Sequence, residues 1–121
     1  MDYGKILLLS DGSKIFSVLD RVFTDEGYET MTAYSRGSAA RAMSTGNFHL
    51  LVTRINRNRH DAATILKFMR KQYPGMTAII LRGEHEVNSP LEAFQVKDGE
   101  ESFIPCGWPG LRRLVANCVR G

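Results

Sequence analysis

The third apolar run of the sequence is followed directly by a cluster of basic residues. Leu50-Leu51-Val52 is continuous and apolar, and the basic residues after it are Arg54, Arg57, Arg59 and His60. Guanidinium groups are always protonated and present paired N–H donors that suit oxyanions. Together with Arg82, these arginines could bind an anionic small molecule, an acidic partner or a nucleic acid. A solvated loop explains the same charges, so both interpretations stay open.

A second candidate for phosphate chemistry lies between Cys106 and Arg112. The two residues have the C-x5-R spacing of cysteine phosphatases, in which a thiolate and an arginine meet a phosphate at a helix N-terminus. Pro109 removes a backbone N–H where such a loop needs donors. Arg is also frequent, at 11 of 121 residues, so a chance match is expected for about one Cys in eleven. We therefore predict that the protein is not an enzyme.

The composition of the chain predicts a single globular domain over residues 1–121. Its 43% hydrophobic content is ordinary, and 16 Lys and Arg against 13 Asp and Glu give a net charge of +3. That balance is too small to indicate nucleic acid by itself, and no zinc or stacking pattern supports it. No apolar run approaches the roughly 20 residues of a membrane span. With no secretory signal, and with Cys106 and Cys118 expected as reduced thiols, we predict a cytoplasmic location and no membrane contact.

Short apolar runs alternate with segments of helical period along the whole chain. Five strands are predicted, at Lys5–Ser10, Glu29–Tyr34, Phe48–Thr53, Met76–Leu81 and Ser102–Pro105. A helix is expected after each strand, and the fourth begins at Ser89-Pro90 and ends at Lys97-Asp98-Gly99. Such alternation predicts an α/β protein with a doubly wound parallel sheet covered by helices on both faces.

In a sheet of this kind, ligands bind beyond the carboxyl ends of the strands. The residues at or just after these ends should therefore be considered together, as one candidate site. They are Ser10, Asp11, Arg54, Arg82 and Cys106.

Three segments of the sequence resemble the receiver domain of bacterial two-component response regulators. KILLLSD resembles the first receiver strand with its acidic pair, and FHLLVTRIN resembles the third strand, which carries the phospho-acceptor Asp. The segment from Lys97 to Ile104 resembles the approach to the fifth strand. The resemblance implies a flavodoxin-like (βα)5 fold with five parallel strands in the order 2-1-3-4-5. It also implies a signalling module that acts by protein–protein contact.

The functional residues of the receiver family do not carry over to this chain. The phospho-acceptor position falls on Arg54, and the Mg²⁺-binding acidic pair falls on Ser10 and Asp11. The switch Ser/Thr position falls on Arg82, and the position of the receiver Lys falls on Cys106. The resemblance therefore implies a degenerate phosphorylation site in a non-phosphorylatable pseudo-receiver, with no catalytic residue, metal site or cofactor.

Two expectations follow for side-chain contacts. Asp11 and Arg54 should lie on neighbouring strand ends, where they could form an ion pair that plugs the site. The alternative is that Arg54 and Arg82 simply extend to water at the edge of the strands. The resemblance places the signalling surface on the fourth helix, fifth strand and fifth helix, with Phe103, Trp108 and Arg112 as its switch or interaction residues. A separate, unidentified signalling protein is the expected partner, and a homodimer through the same face is an alternative.

Overall fold

In the computed structural model, residues 4–55, 61–73, 76–82, 92–97, 100–105 and 108–120 are described. Six strands are present: β1 (Lys5–Leu9), β2 (Glu29–Ala33), β3 (Leu50–Ile55), β4 (Thr77–Arg82), β5 (Glu92–Lys97) and β6 (Glu100–Pro105). Four helices accompany them: α1 (Lys14–Asp25), α2 (Arg36–Thr45), α3 (Asp61–Gln72) and α4 (Trp108–Arg120). The first four strands and all four helices lie at the places that the hydrophobic periodicity predicts.

The strands form one sheet in the order β2-β1-β3-β4-β5-β6. β2, β1, β3 and β4 are parallel, as a βα alternation requires. In the register of the central pair, Leu9 lies opposite Thr53, so the next residues of both strands share the carboxyl edge of the sheet. β5 is antiparallel to β4, and β6 is antiparallel to β5.

The prediction of five parallel strands in the order 2-1-3-4-5 is therefore wrong beyond the fourth strand. Residues 92–97 form strand β5 rather than the predicted helix, and β6 is separated from β4 by that strand. Lys97 pairs with Glu100 across a connection of two residues, Asp98-Gly99. Asp-Gly between two strands is a strong β-hairpin signal, whereas the sequence reasoning used it as a helix stop. Strand pairing in this hairpin therefore prevails over the helix-start pattern at Ser89-Pro90 in deciding the conformation of residues 92–97.

Side chains of the parallel strands alternate between two separate cores, because successive residues of a strand point to opposite faces. On one face, α1 and α4 pack over a core that includes Ile6, Leu8, Leu19, Val52 and Leu111. On the other face, α2 and α3 pack over a core that includes Leu7, Leu9, Met43, Leu51 and Met69. The sheet is doubly wound as predicted, and its central strands are buried on both faces.

Helix α1 shows how the apolar pattern positions the elements around the site. Phe16, Leu19 and Phe23 are buried in the α1–α4 core, whereas Val18 is 40% exposed. Gly27 follows the helix with φ of 94°, a left-handed conformation that glycine adopts without strain. Across the described ranges, no helix has the length and apolar character that a bilayer crossing requires.

Candidate functional site at the ends of β1 and β3

The turn from β1 into α1 is built from four consecutive residues, Ser10 to Ser13. The buried Ser10 hydroxyl accepts a hydrogen bond from the Gly12 N–H at 3.0 Å. Gly12 has φ of 85°, so a side chain there would strain the backbone. Asp11 Oδ1 accepts a hydrogen bond from the Ser13 N–H at 2.8 Å. Both side chains thus turn back onto the loop and fix the N-terminus of α1.

The ion pair predicted between Asp11 and Arg54 is present. Arg54 Nη1 lies 3.7 Å from Asp11 Oδ2, and the two side chains are only 8% and 5% exposed. The distance is that of an ion pair rather than a hydrogen bond. Arg54 therefore does not extend to water, and the alternative that each charge is separately solvated is wrong for this residue. The guanidinium occupies the crevice at the carboxyl ends of β1 and β3.

Two buried polar atoms beside this ion pair lack a hydrogen-bond partner within the described part of the chain. They are Arg54 Nε and the Ser13 hydroxyl. Ser13 is the residue before α1, yet its side chain makes no capping hydrogen bond to the helix. Unsatisfied buried groups are uncommon and indicate that an acceptor, such as water or an ion, belongs nearby.

The chemistry of the described site is that of a cation rather than of a nucleophile. Phosphoryl transfer to a side chain needs a carboxylate or another nucleophile, and Mg²⁺ needs several oxygen ligands. Arg54 provides neither, and Asp11 is already turned toward Arg54 and the Ser13 N–H. No cluster of three or more His, Cys, Asp or Glu side chains with metal-binding geometry occurs among the residues that the structure describes.

Most of the other predicted site residues lie outside the part of the chain that the structure describes. Arg57, Arg59 and Cys106 lie outside the described residues, and so does His60. For Arg82, the backbone is described at the end of β4, where it lies opposite Ile55, one position beyond Arg54. The expectation of an arginine cluster with an anion therefore stays a prediction for these residues.

The predicted interaction face is only partly formed. Residues 92–97 of its predicted fourth helix form strand β5 instead, and residues 92–96 pair with β4. Phe103 lies on β6 opposite Phe94, and Trp108 begins α4. Arg112 is exposed on α4 and pairs with Glu26, which follows α1. The elements of the predicted face that the structure contains are β6 and α4.

Sequence reasoning missed a small polar cavity beside the α1 N-terminus. Its volume is about 110 Å³, and it is lined by Ser10, Gly12, Ser13, Phe16, Ser17, Asp20, Thr32 and Tyr34. The Asp20 carboxylate accepts hydrogen bonds from Thr24 and Thr30, which joins α1 to the edge strand β2. The residues that line the cavity are spread over 25 positions of the sequence, from Ser10 to Tyr34, so only the fold brings them together.

Curated proteins with similar sequences are transcriptional regulators. The chain is 29% identical over 113 residues to the alginate biosynthesis transcriptional regulatory protein AlgB of Pseudomonas syringae pv. tomato, which covers 93% of the chain and 25% of AlgB. It is 25% identical over 105 residues to the DNA-binding transcriptional regulator NtrC of Proteus hauseri, covering 87% of the chain and 22% of NtrC. The chain thus spans about a quarter of the length of the curated relatives it matches. No family model matches the chain.

Solved structures with the same fold are receiver domains. The receiver domain of NtrC4 from Aquifex aeolicus superimposes with a TM-score of 0.65 over 95% of this chain and 93% of that chain, at 20% identity. The response regulator TrrA from Thermotoga maritima, in complex with Mg²⁺-BeF, gives a TM-score of 0.59 at 25% identity over 67% of this chain and 70% of that chain. The parallel sheet in the order 2-1-3-4 and its carboxyl-edge site agree with that fold. The fold of this chain is therefore that of response-regulator receiver domains of the CheY-like type.

Proposed function

We propose that this chain is a receiver-like regulatory module that accepts no phosphoryl group and signals through contact with a protein partner. The observation that carries the proposal is the buried Arg54, which stands at the end of β3 and faces Asp11 at 3.7 Å. The resemblance to receivers aligns the phospho-acceptor with this position.

Charge and burial support the loss of phosphorylation. A guanidinium is not a nucleophile and repels Mg²⁺, the ion that neutralises the phosphoryl oxygens in receiver chemistry. Arg54 is 7% exposed and Asp11 is its ion-pair partner, so rearrangement of the pair would leave a buried charge uncompensated. We infer that the ion pair holds the domain in one conformational state, so that phosphorylation does not shift an equilibrium between two states.

Small-molecule phosphorylation tests this proposal directly. The wild type would be incubated with acetyl phosphate and Mg²⁺ and examined by intact-protein mass spectrometry, beside a double variant, Ser10→Asp with Arg54→Asp. We expect no phosphoryl adduct on the wild type, whereas the double variant, which regains three neighbouring carboxylates, should acquire one. An acid-labile adduct on the wild type would refute the proposal.

The surface formed by β6 and α4 is the proposed contact site for the partner. It retains the predicted residues Phe103, Trp108 and Arg112, while the predicted fourth helix is absent from it. Arg113 is exposed on α4, and Arg21 is exposed on α1. A protein partner should be captured by the wild type and by Arg21→Glu but lost from Arg113→Glu.

Retention of the partner by all three proteins would contradict the use of this surface. Light scattering on the same proteins tests the alternative of a homodimer through α4, which Arg113→Glu should dissociate. The cytoplasmic location and the single-domain organisation of residues 1–121 stay predictions.

A further inference from the structure

Strand β2 forms one edge of the sheet, and part of its backbone points outward. Within the described part of the chain, β2 pairs only with β1. The Glu29 N–H donates to the Gly4 carbonyl at 3.0 Å, and the Ala33 carbonyl accepts at 2.7 Å from the residue that follows β1. Because the backbone groups of successive residues in a strand point to opposite sides, those of Thr30 and Thr32 point away from β1. The outer edge of β2 thus presents two N–H donors and two carbonyl acceptors.

The side chains of β2 do not protect this edge in the usual ways. Edge strands commonly carry Lys or Pro, which prevent pairing with another chain. β2 has the sequence ETMTA, and its single charge is at the first residue. Met31, at the centre of the strand, is 49% exposed, and Tyr34, just beyond its end, is 72% exposed. The exposed apolar side chains and the outward backbone groups therefore lie at the same edge.

The order of residues makes β2 complementary to a second copy of itself. If two copies run antiparallel about a twofold axis at Met31, Thr30 of each copy lies opposite Thr32 of the other. Antiparallel strands alternate hydrogen-bonded pairs with closer pairs that have no hydrogen bonds. The outward groups of Thr30 and Thr32 supply the hydrogen-bonded pairs, and Met31 meets Met31 in the closer pair. Registers centred on Thr30 or on Thr32 would overlap only part of the strand.

The same register separates the charges and brings the apolar side chains together. Glu29 lies opposite Ala33 of the second copy, so the two Glu29 carboxylates are at opposite ends of the paired strands. Met31 is in register with Leu7, which belongs to the core under α2 and α3. The two Met31 side chains would therefore meet on the α2 side of the sheet, where each covers the exposed surface of the other.

We propose that the edge of β2 is a self-association site, at which a second copy of this chain adds its own β2 antiparallel and joins the two sheets into one. The interface is isologous, since the same residues of both copies meet about the twofold axis. β2 is at the opposite edge of the sheet from β6. The inference therefore goes beyond the proposed docking of a protein partner, and it differs from a homodimer through α4.

A charge at position 31 tests the twofold axis. Met31→Lys places two ammonium groups opposite each other in the dimer, and Met31→Glu does the same with two carboxylates. Like charges directly opposite each other destabilise strand pairing, so we expect each variant to raise the dissociation constant of the dimer at least about tenfold. Sedimentation velocity measures this change. An equimolar mixture of the two variants should regain the dimer, and native mass spectrometry should identify it by mass as the heterodimer.

Val18→Lys is the matched control, because Val18 is also a large apolar residue of comparable exposure, 40%, but lies on α1. This variant should dimerise as the wild type does. Hydrogen exchange gives an independent measurement. The Thr30 and Thr32 amides should gain protection as the protein concentration rises and lose it in Met31→Lys. Protection of the Glu29 amide, which donates to Gly4, should not depend on concentration.

Four outcomes would overturn the inference. A wild type that stays monomeric up to millimolar concentration would exclude the dimer. A dimer that Met31→Lys leaves intact, or that Val18→Lys weakens equally, would not depend on the edge of β2. A mixture of the two charged variants that stays monomeric would contradict the twofold register. A dimer that only Arg113→Glu dissociates would form through α4 instead. None of these outcomes depends on whether the wild type reacts with acetyl phosphate, so the two proposals can fail separately.

Discussion

At the scale of single residues, Asp11 joins two parts of the molecule that are far apart in the sequence. One carboxylate oxygen accepts from the Ser13 N–H, and the other faces Arg54 on β3. Because both charges are buried, each depends on the other for compensation. Removal of one partner from a buried ion pair costs far more than removal of one partner from an exposed pair.

Arg54→Leu should therefore lower the free energy of unfolding by about 3–5 kcal/mol, because the buried Asp11 carboxylate loses its ion pair with Arg54. Urea denaturation followed by circular dichroism measures this change. Replacement of both residues by leucine should recover part of the loss, since no buried charge then remains.

Arg112→Leu is the matched control for this prediction. Arg112 also pairs with a carboxylate, that of Glu26, but its side chain is 55% exposed. An exposed pair of this kind contributes about 0–1 kcal/mol. If Arg54→Leu and Arg112→Leu destabilised the protein equally, the Asp11–Arg54 pair would not be buried in solution.

At the scale of secondary-structure elements, the end of α4 packs very closely on the start of β1. A Cβ atom added at Gly4 would lie 2.1 Å from Val119 Cγ1, which is too close for two carbon atoms. The Gly4 carbonyl also accepts from the Glu29 N–H, so the backbone is held on its β2 side. The absence of a side chain at Gly4 is thus what allows α4 to approach the sheet.

Gly4→Ala should destabilise the protein by about 1–3 kcal/mol through overpacking. Val119→Ala should also be destabilising alone, yet in the double variant it should relieve most of the clash. Thermal unfolding of the four proteins measures this coupling. Additive losses in the double variant would contradict the close contact between Gly4 and Val119.

The antiparallel strand β5 gives a second prediction at this scale. Backbone chemical shifts over Glu92–Lys97 should be strand-like, because each of these residues pairs with β6 and residues 92–96 also pair with β4. Cross-strand nuclear Overhauser effects between Phe94 and Phe103 should accompany them. Residues Lys14–Asp25 of α1 provide the helical reference in the same spectrum. Helical shifts over residues 92–97 would contradict the six-stranded sheet.

At the scale of the whole molecule, the doubly wound sheet separates structural from functional residues. Two cores cover the faces of the sheet, while the carboxyl edge gathers Ser10, Asp11 and Arg54. The fold therefore confines these polar and charged side chains to one edge of the sheet, outside both cores. Function can change at such an edge with little effect on either core.

This separation predicts how Mg²⁺ acts on stability. Millimolar Mg²⁺ should leave the melting temperature of the wild type unchanged, since Arg54 repels the ion. The Ser10→Asp, Arg54→Asp double variant should be less stable without metal and should be stabilised by Mg²⁺, because a bound ligand favours the folded state. Thermal scans with K⁺ at matched ionic strength provide the control. A rise in the melting temperature of the wild type with Mg²⁺ that equals the rise for the double variant would contradict the prediction.

Local patterns were sufficient for much of the fold. The apolar runs that became β1 to β4 and the helical periods of α1 to α4 predicted these elements, because burial of an apolar face is encoded by residue spacing. The sequence also predicted that Asp11 and Arg54 lie near each other at the ends of neighbouring strands, but it left open whether they form an ion pair. The error at residues 92–97 arose where a helix-start pattern and an Asp-Gly hairpin signal competed, and pairing with β4 decided between them.

The sequence by itself determined the types of groups available at the carboxyl edge, including the arginine at position 54. Only the tertiary structure decided that Arg54 is buried, that its Nε lacks an acceptor and that the Ser13 hydroxyl shares this deficit. The physical reason is that residue type and spacing specify local conformation and which face is apolar. Burial and hydrogen-bond partners depend on contacts between residues such as Asp11 and Arg54, which are 43 positions apart.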